Sequence, residues 1–119
     1  MTNFTVLQTT FIKDNVSIRL QNLNNHLKQI QSLSQDHTPD NESVKNLIRE
    51  TMYFIEWIGP DVEFDHAFEL ANLGRFLTRW LFSSEEIWNN TTSKTQVIQE
   101  LAAWSESVSK MTQLLVLQS

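Results

Sequence analysis

Apolar residues recur along this chain at steps of three and four, and the clearest runs lie towards its two ends. Val16, Leu20, Leu23, Leu27 and Ile30 form one run; Val97, Leu101, Trp104, Val108, Met111 and Leu115 form the other. Such steps place side chains on one stripe of an α-helix, and the Asn, Gln, Ser and Lys between them occupy the remaining faces. Each segment is therefore amphipathic and must bury its stripe. The spacing predicts helices over about residues 12–35 and 94–117.

Between them, Asp40 or Asn41 reads as the cap of a helix over about 41–58, with Val44, Leu47, Ile48, Met52, Ile55 and Ile58 on its apolar face. Gly59-Pro60 ends it, glycine suiting the position past a helix and proline opposing continuation. Asp61 reads as the cap of a helix over about 62–82 that carries Phe64, Phe68, Ala71, Leu73, Phe76, Leu77, Trp80 and Leu81. The arc these residues span is wide, which predicts the most buried helix of the set. Ser83-Ser84-Glu85-Glu86 reads as the cap of a short turn with Ile87 and Trp88, followed by a polar loop from Asn89 to Ser93.

Phe4, Leu7 and Phe11 are out of phase with the Val16 stripe, and Lys13-Asp14-Asn15 marks a break, so residues 3–11 read as a separate turn or arm. Gln35 to Asn41, with Pro39, has the chemistry of a loop. Short connections favour antiparallel neighbours. The expectation is a single all-α domain over 1–119, an antiparallel up-and-down four-helix bundle with a short extra N-terminal helical turn.

Composition narrows the function classes. The chain has 119 residues, 40% of them hydrophobic, with two Gly, two Pro and no Cys. Disulfides, thiolate nucleophiles and cysteine-ligated metals are excluded. The net charge of −5 opposes binding to phosphate backbones and to anionic membranes, and the nine Lys and Arg are scattered. No apolar run approaches the roughly 20 residues of a membrane span, and Met1–Thr10 lacks the pattern of a secretory signal. A cytoplasmic location is expected, with neither a nucleic-acid nor a membrane partner. The Asn-x-Ser/Thr triplets at Asn3, Asn15 and Asn90 then read as chance products of a chain rich in those residues.

Candidate chemistry is sparse. Glu63-Phe64-Asp65-His66 contains Glu-x-x-His, a spacing that lets a carboxylate and an imidazole share a metal on one helix face. Di-iron bundles use the element twice; here neither His26 nor His37 has a Glu three residues before it. Glu63 and His66, with Glu69 or Glu56, are the candidate metal ligands. Arg19 and His26 resemble the Arg-x(4–6)-His element of the HEPN helical ribonucleases. That resemblance covers two residues, Leu20 departs from the polar residue usual after the Arg, and the acidic charge is wrong for an RNA cleaver. No phosphate loop, nucleophile elbow, His-Glu-x-x-His or Glu-x-x-Glu pairing is present. The sequence points away from an enzyme and requires no cofactor.

What stands out is where the aromatics and acids lie. Nine of the twelve aromatic residues fall between Tyr53 and Trp88. From Asp40 to Glu69 there are eight acids against two bases, so this stretch alone holds the chain's excess negative charge. Tyr53, Phe54 and Trp57 cannot all share one helix face, because successive positions are about 100° apart. Some must sit at an edge or under a partner. Arg75 and Arg79, one turn apart, are expected to pair with the acids.

These features point to a non-enzymatic helical protein–protein interaction module, a regulatory or adaptor protein. Its expected contact residues are Tyr53, Trp57, Asp61, Glu63, Asp65 and Glu69, with Leu114–Leu117 as an added edge. The expected partners are a basic protein and a second copy of the chain in a homodimer. The alternative is a bundle that binds a small ligand, or a metal ion near Glu63 and His66.

Overall fold

The computed structural model describes residues 3–36 and 40–118, and these are all-helical. There are six α-helices among the described residues: α1 (Phe4–Ile12), α2 (Val16–Ser34), α3 (Asn41–Ile58), α4 (Phe64–Phe82), α5 (Ser84–Trp88) and α6 (Thr91–Gln118). A 3₁₀ turn, Gly59–Asp61, joins α3 to α4. The loop residues His37, Thr38 and Pro39 lie outside the described residues.

Asparagine and aspartate set most of the helix starts. The side chain of Asn3 accepts from the Val6 N–H, Asn15 from Ile18 and Asn90 from Ser93. The asparagines of these three Asn-x-Ser/Thr triplets thus serve as helix caps. Each asparagine satisfies an N–H that has no partner inside its own helix. Asn15 also explains why the helix expected over 12–35 starts only at Val16, after the break expected at Lys13-Asp14-Asn15, while the separate segment expected over 3–11 is α1, ending at Ile12. Asp40 caps α3 through the N–H groups of Glu42 and Ser43 and accepts from the Ser43 hydroxyl at 2.9 Å. The Ser43 hydroxyl, with the backbone N–H groups, holds the Asp40 carboxyl below its ordinary pKa.

One expected cap differs, and one expected end, reached at Ile58 as read, is made by a different backbone. Asp61 does not cap α4; it lies in the 3₁₀ turn, and Glu63 stands at the cap position without a side-chain bond to it. Gly59 keeps a right-handed backbone and continues α3 into that turn, so its freedom at positive φ goes unused. Pro60, which lacks an N–H, fits the first turn of the 3₁₀ segment. The short turn expected around Ile87 and Trp88 is α5, and α6 begins at Thr91 because Asn90 supplies its cap.

α2 packs against both α3 and α6, α3 packs against α4, and α5 against α6. Phe76 of α4 meets Trp104 of α6 edge-on, with ring centroids 5.5 Å apart. The core takes Leu20, Leu23, Leu27 and Ile30 from α2, Val44, Ile48 and Ile58 from α3, Leu70, Leu73, Leu77 and Trp80 from α4, and Leu101 and Val108 from α6. Both terminal stripes read from the sequence face this core. Two polar links fix the pairing. Asn24 accepts from Ser105 at 2.6 Å and donates to Ser109 at 2.9 Å, tying α2 to α6. The Trp88 indole donates to Ser34 at 2.7 Å, which fastens α5 to the end of α2. Such buried bonds add little net stability but penalise a slipped register, which would leave them unmade.

Candidate functional site

The expected contact residues divide into two groups. Tyr53 and Trp57 stack with centroids 5.7 Å apart, and Phe4 of α1 packs edge-on against both, at 4.9 and 5.5 Å. Below them Phe11 stacks on Phe54 at 4.0 Å. The residues read as an arm are thus α1, and this helix lies on the aromatic side of α3. Tyr53 stays exposed at its edge, while Trp57 is half-buried and joins the core.

Asp61 is engaged within the chain. Its carboxylate accepts from Arg19 at 3.0 Å, and the same guanidinium donates to the carbonyls of Trp57 and Asp14, each at 3.0 Å. The Arg19 side chain is only 7% exposed and that of Asp61 51%. Arg19 therefore joins the α1–α2 junction, the end of α3 and the 3₁₀ turn. His26 has a separate partner, Glu50, at 3.1 Å, and packs edge-on against Phe54. It lines a recess of about 270 Å³ with Leu7, Thr10, Phe11 and Asp14, to which Arg19 does not contribute. The Arg–His pair expected from the HEPN resemblance does not meet in one cleft.

Glu63, Asp65 and Glu69 are exposed around the start of α4, and none has a basic partner among the described residues. His66 is half-buried with its Nδ1 unpaired. Among the described residues no three His, Asp or Glu side chains gather closely enough to hold a metal ion. Glu63 and His66 share a helical turn without a third ligand.

The feature the sequence reading misplaced is α4 itself. Expected to be the most buried helix, it carries the most exposed phenylalanines: Phe64 is 81%, Phe68 57% and Phe82 85% exposed. Two stripes run along it, each in steps of four and three. His66, Leu70, Leu73, Leu77 and Trp80 face inward; Phe64, Phe68, Ala71, Arg75 and Phe82 face outward, with half-buried Thr78 in the same register. A wide apolar arc therefore reflected two faces rather than one deeply buried one. Beside the outer stripe runs a groove of about 400 Å³, lined by Met52, Ile55, Ala71 and Gly74 and rimmed by Glu56 and Arg75.

The arginines of this helix are not paired with the acids. Arg75 donates to the Asn72 amide at 3.2 Å, and Arg79 lies over the Phe76 ring, 5.0 Å from its centroid. Neither has a carboxylate within ion-pair distance among the described residues. At the far end of α6, Leu114 and Leu117 are exposed and Leu115 packs on the core; the side chain of Val116 lies outside the described residues. No helix among the described residues is long and apolar enough to cross a membrane. The chain matches no protein-family model, no curated protein and no solved structure.

Proposed function

We propose that this chain is a non-enzymatic helical interaction module whose working surface is the outer face of α4. The observation that carries the reading is the exposure of Phe64, Phe68 and Phe82 on one helix face. Scattered exposed apolar residues are ordinary, whereas an aligned aromatic row mixed with charge is the composition of a protein interface. Glu63, Asp65 and Glu69 supply a negative rim at one end, suited to a basic partner surface. Of the other expected contact residues, Tyr53 and Trp57 flank the region beside α1, and Asp61 shapes the turn leading into it through Arg19. In this reading α2, α3, α4 and α6 form an antiparallel up-and-down bundle that serves as a rigid support.

Site-specific photo-crosslinking in the native host tests the proposal. A crosslinker at Phe68 is expected to trap a protein, either a second copy or a different one, while one at exposed Gln99 on α6 traps none. Equal yields at the two positions, or no product at Phe68, would overturn it.

A further inference from the structure

The outer face of α4 carries enough pattern to name its occupant. Phe64, Phe68, Ala71, Arg75, Thr78 and Phe82 follow steps of 4, 3, 4, 3 and 4. That is the spacing of a seam between two helices, since it keeps one stripe facing a helical partner over several turns. The stripe extends the full length of α4, about 28 Å for 19 residues.

The residues flanking the seam are arranged by polarity. One flank holds Asp65, Asn72 and Arg79; the other holds Ala67, Gly74 and Leu81. Consider a two-fold axis perpendicular to α4 at its middle. It reverses the helix direction and sets each flank against its own copy. Asp65 of one chain then meets Arg79 of the second, and Arg79 meets Asp65, while the two Asn72 residues face each other. Along the seam Phe64 meets Phe82, Phe68 meets Thr78 and Ala71 meets Arg75. The other flank brings Gly74 to Gly74 at the axis. One register aligns the aromatics, the charges and the glycine together.

Two further observations agree with a second chain. Asp65 and Arg79 have no opposite charge within ion-pair distance among the described residues. Gly74 sits in a helix interior, where it costs about 1 kcal/mol relative to Ala, yet a Cβ added there would meet nothing within 4 Å. Nothing in its own chain needs the glycine, whereas close approach of another backbone would use it.

We infer that α4 pairs antiparallel with α4 of a second copy, forming a two-fold homodimer with reciprocal Asp65–Arg79 ion pairs. The inference rests on reading this face as an interaction surface and specifies what covers it. Sedimentation velocity over a concentration series, with circular dichroism to verify folding, tests it through two single charge reversals.

Asp65→Arg and Arg79→Asp each place like charges opposite one another twice, and each alone is expected to associate about 30-fold more weakly than the unaltered chain. An equimolar mixture of the two restores the pairs, and dimers are expected to return. Gly74→Leu, at a position where an added Cβ meets nothing within its own chain, is expected to fold and remain monomeric. A monomeric unaltered chain, charge reversals without effect, or a mixture that stays monomeric would overturn the inference. A strict monomer whose Phe68 crosslinks a different protein overturns the homodimer and leaves the interaction-module reading standing.

Discussion

Two aromatic groups of this molecule differ in one respect: whether the chain supplies its own cover. On α3, Tyr53, Phe54 and Trp57 lie under Phe4 and Phe11 of α1. On α4, Phe64 and Phe68 stack on one another at 6.5 Å with no helix above them among the described residues, and Phe82 stands further along the same face. Both groups come from the same aromatic-rich stretch. The difference lies in the nine residues of α1, whose Phe4 and Phe11 reach back over α3. An aromatic row thus becomes core or surface according to a distant segment that its own spacing does not reveal.

The comparison is testable by substitution, starting with the covered side. Phe54→Ala removes a ring stacked on Phe11 and bordered by His26 and Trp57, and is expected to cost about 3–5 kcal/mol in urea unfolding. A cost below about 1 kcal/mol would show that α1 does not seal this group. Arg19→Met is expected to cost about 2–3 kcal/mol, because it leaves two carbonyls unpaired beneath the covered cluster. Asp61→Asn, at the half-exposed end of the same pair, is expected to cost less than about 1 kcal/mol.

Phe4→Ala acts more locally. Amide exchange in α1 is expected to quicken several-fold, with a global loss of about 1 kcal/mol or less. Uniform acceleration across α2 and α6 would mean that α1 belongs to the same cooperative unit as the rest. On the bare side, Phe64→Ser and Phe82→Ser are expected to leave the stability of dilute protein within about 0.5 kcal/mol. A large loss would place these rings under cover and remove the contrast.

The parts of the fold legible in the sequence are those decided by neighbouring residues. Asp40 announces the start of α3 and Gly59-Pro60 its end; Lys13-Asp14-Asn15 announces the break between α1 and α2. The inward stripes of α2 and α6 are legible because polar residues fill every other face. α4 reads as the most buried helix because both its stripes are largely apolar, and a phenylalanine's type does not say which face its partners occupy. Of the contact residues, Glu63, Asp65 and Glu69 were legible as an acidic helix start. Arg19 was not, since its partners Trp57 and Asp61 lie 38 and 42 residues away and two of its three bonds go to backbone carbonyls. The self-complementary order of Asp65, Asn72 and Arg79 was present in the sequence. It acquired meaning only once the outer stripe was known to be bare.

The Arg19 anchor has a consequence for how this chain tolerates changes in length. Surface connections ordinarily accept an inserted residue at small cost, because nothing fixes the distance between their ends. Here Asp14 lies in the connection before α2, and Trp57 and Asp61 bracket the entrance to the connection before α4; one guanidinium holds all three. An extra residue at Lys13–Asn15 shifts the peptide that receives Arg19, and one at Gly59–Glu63 shifts the carboxylate. The two connections are thus locked to a common length standard, while the Asn89–Asn90 link before α6 is not. Insertions drifting through relatives of this chain should be absent from the first two places and concentrated in the third.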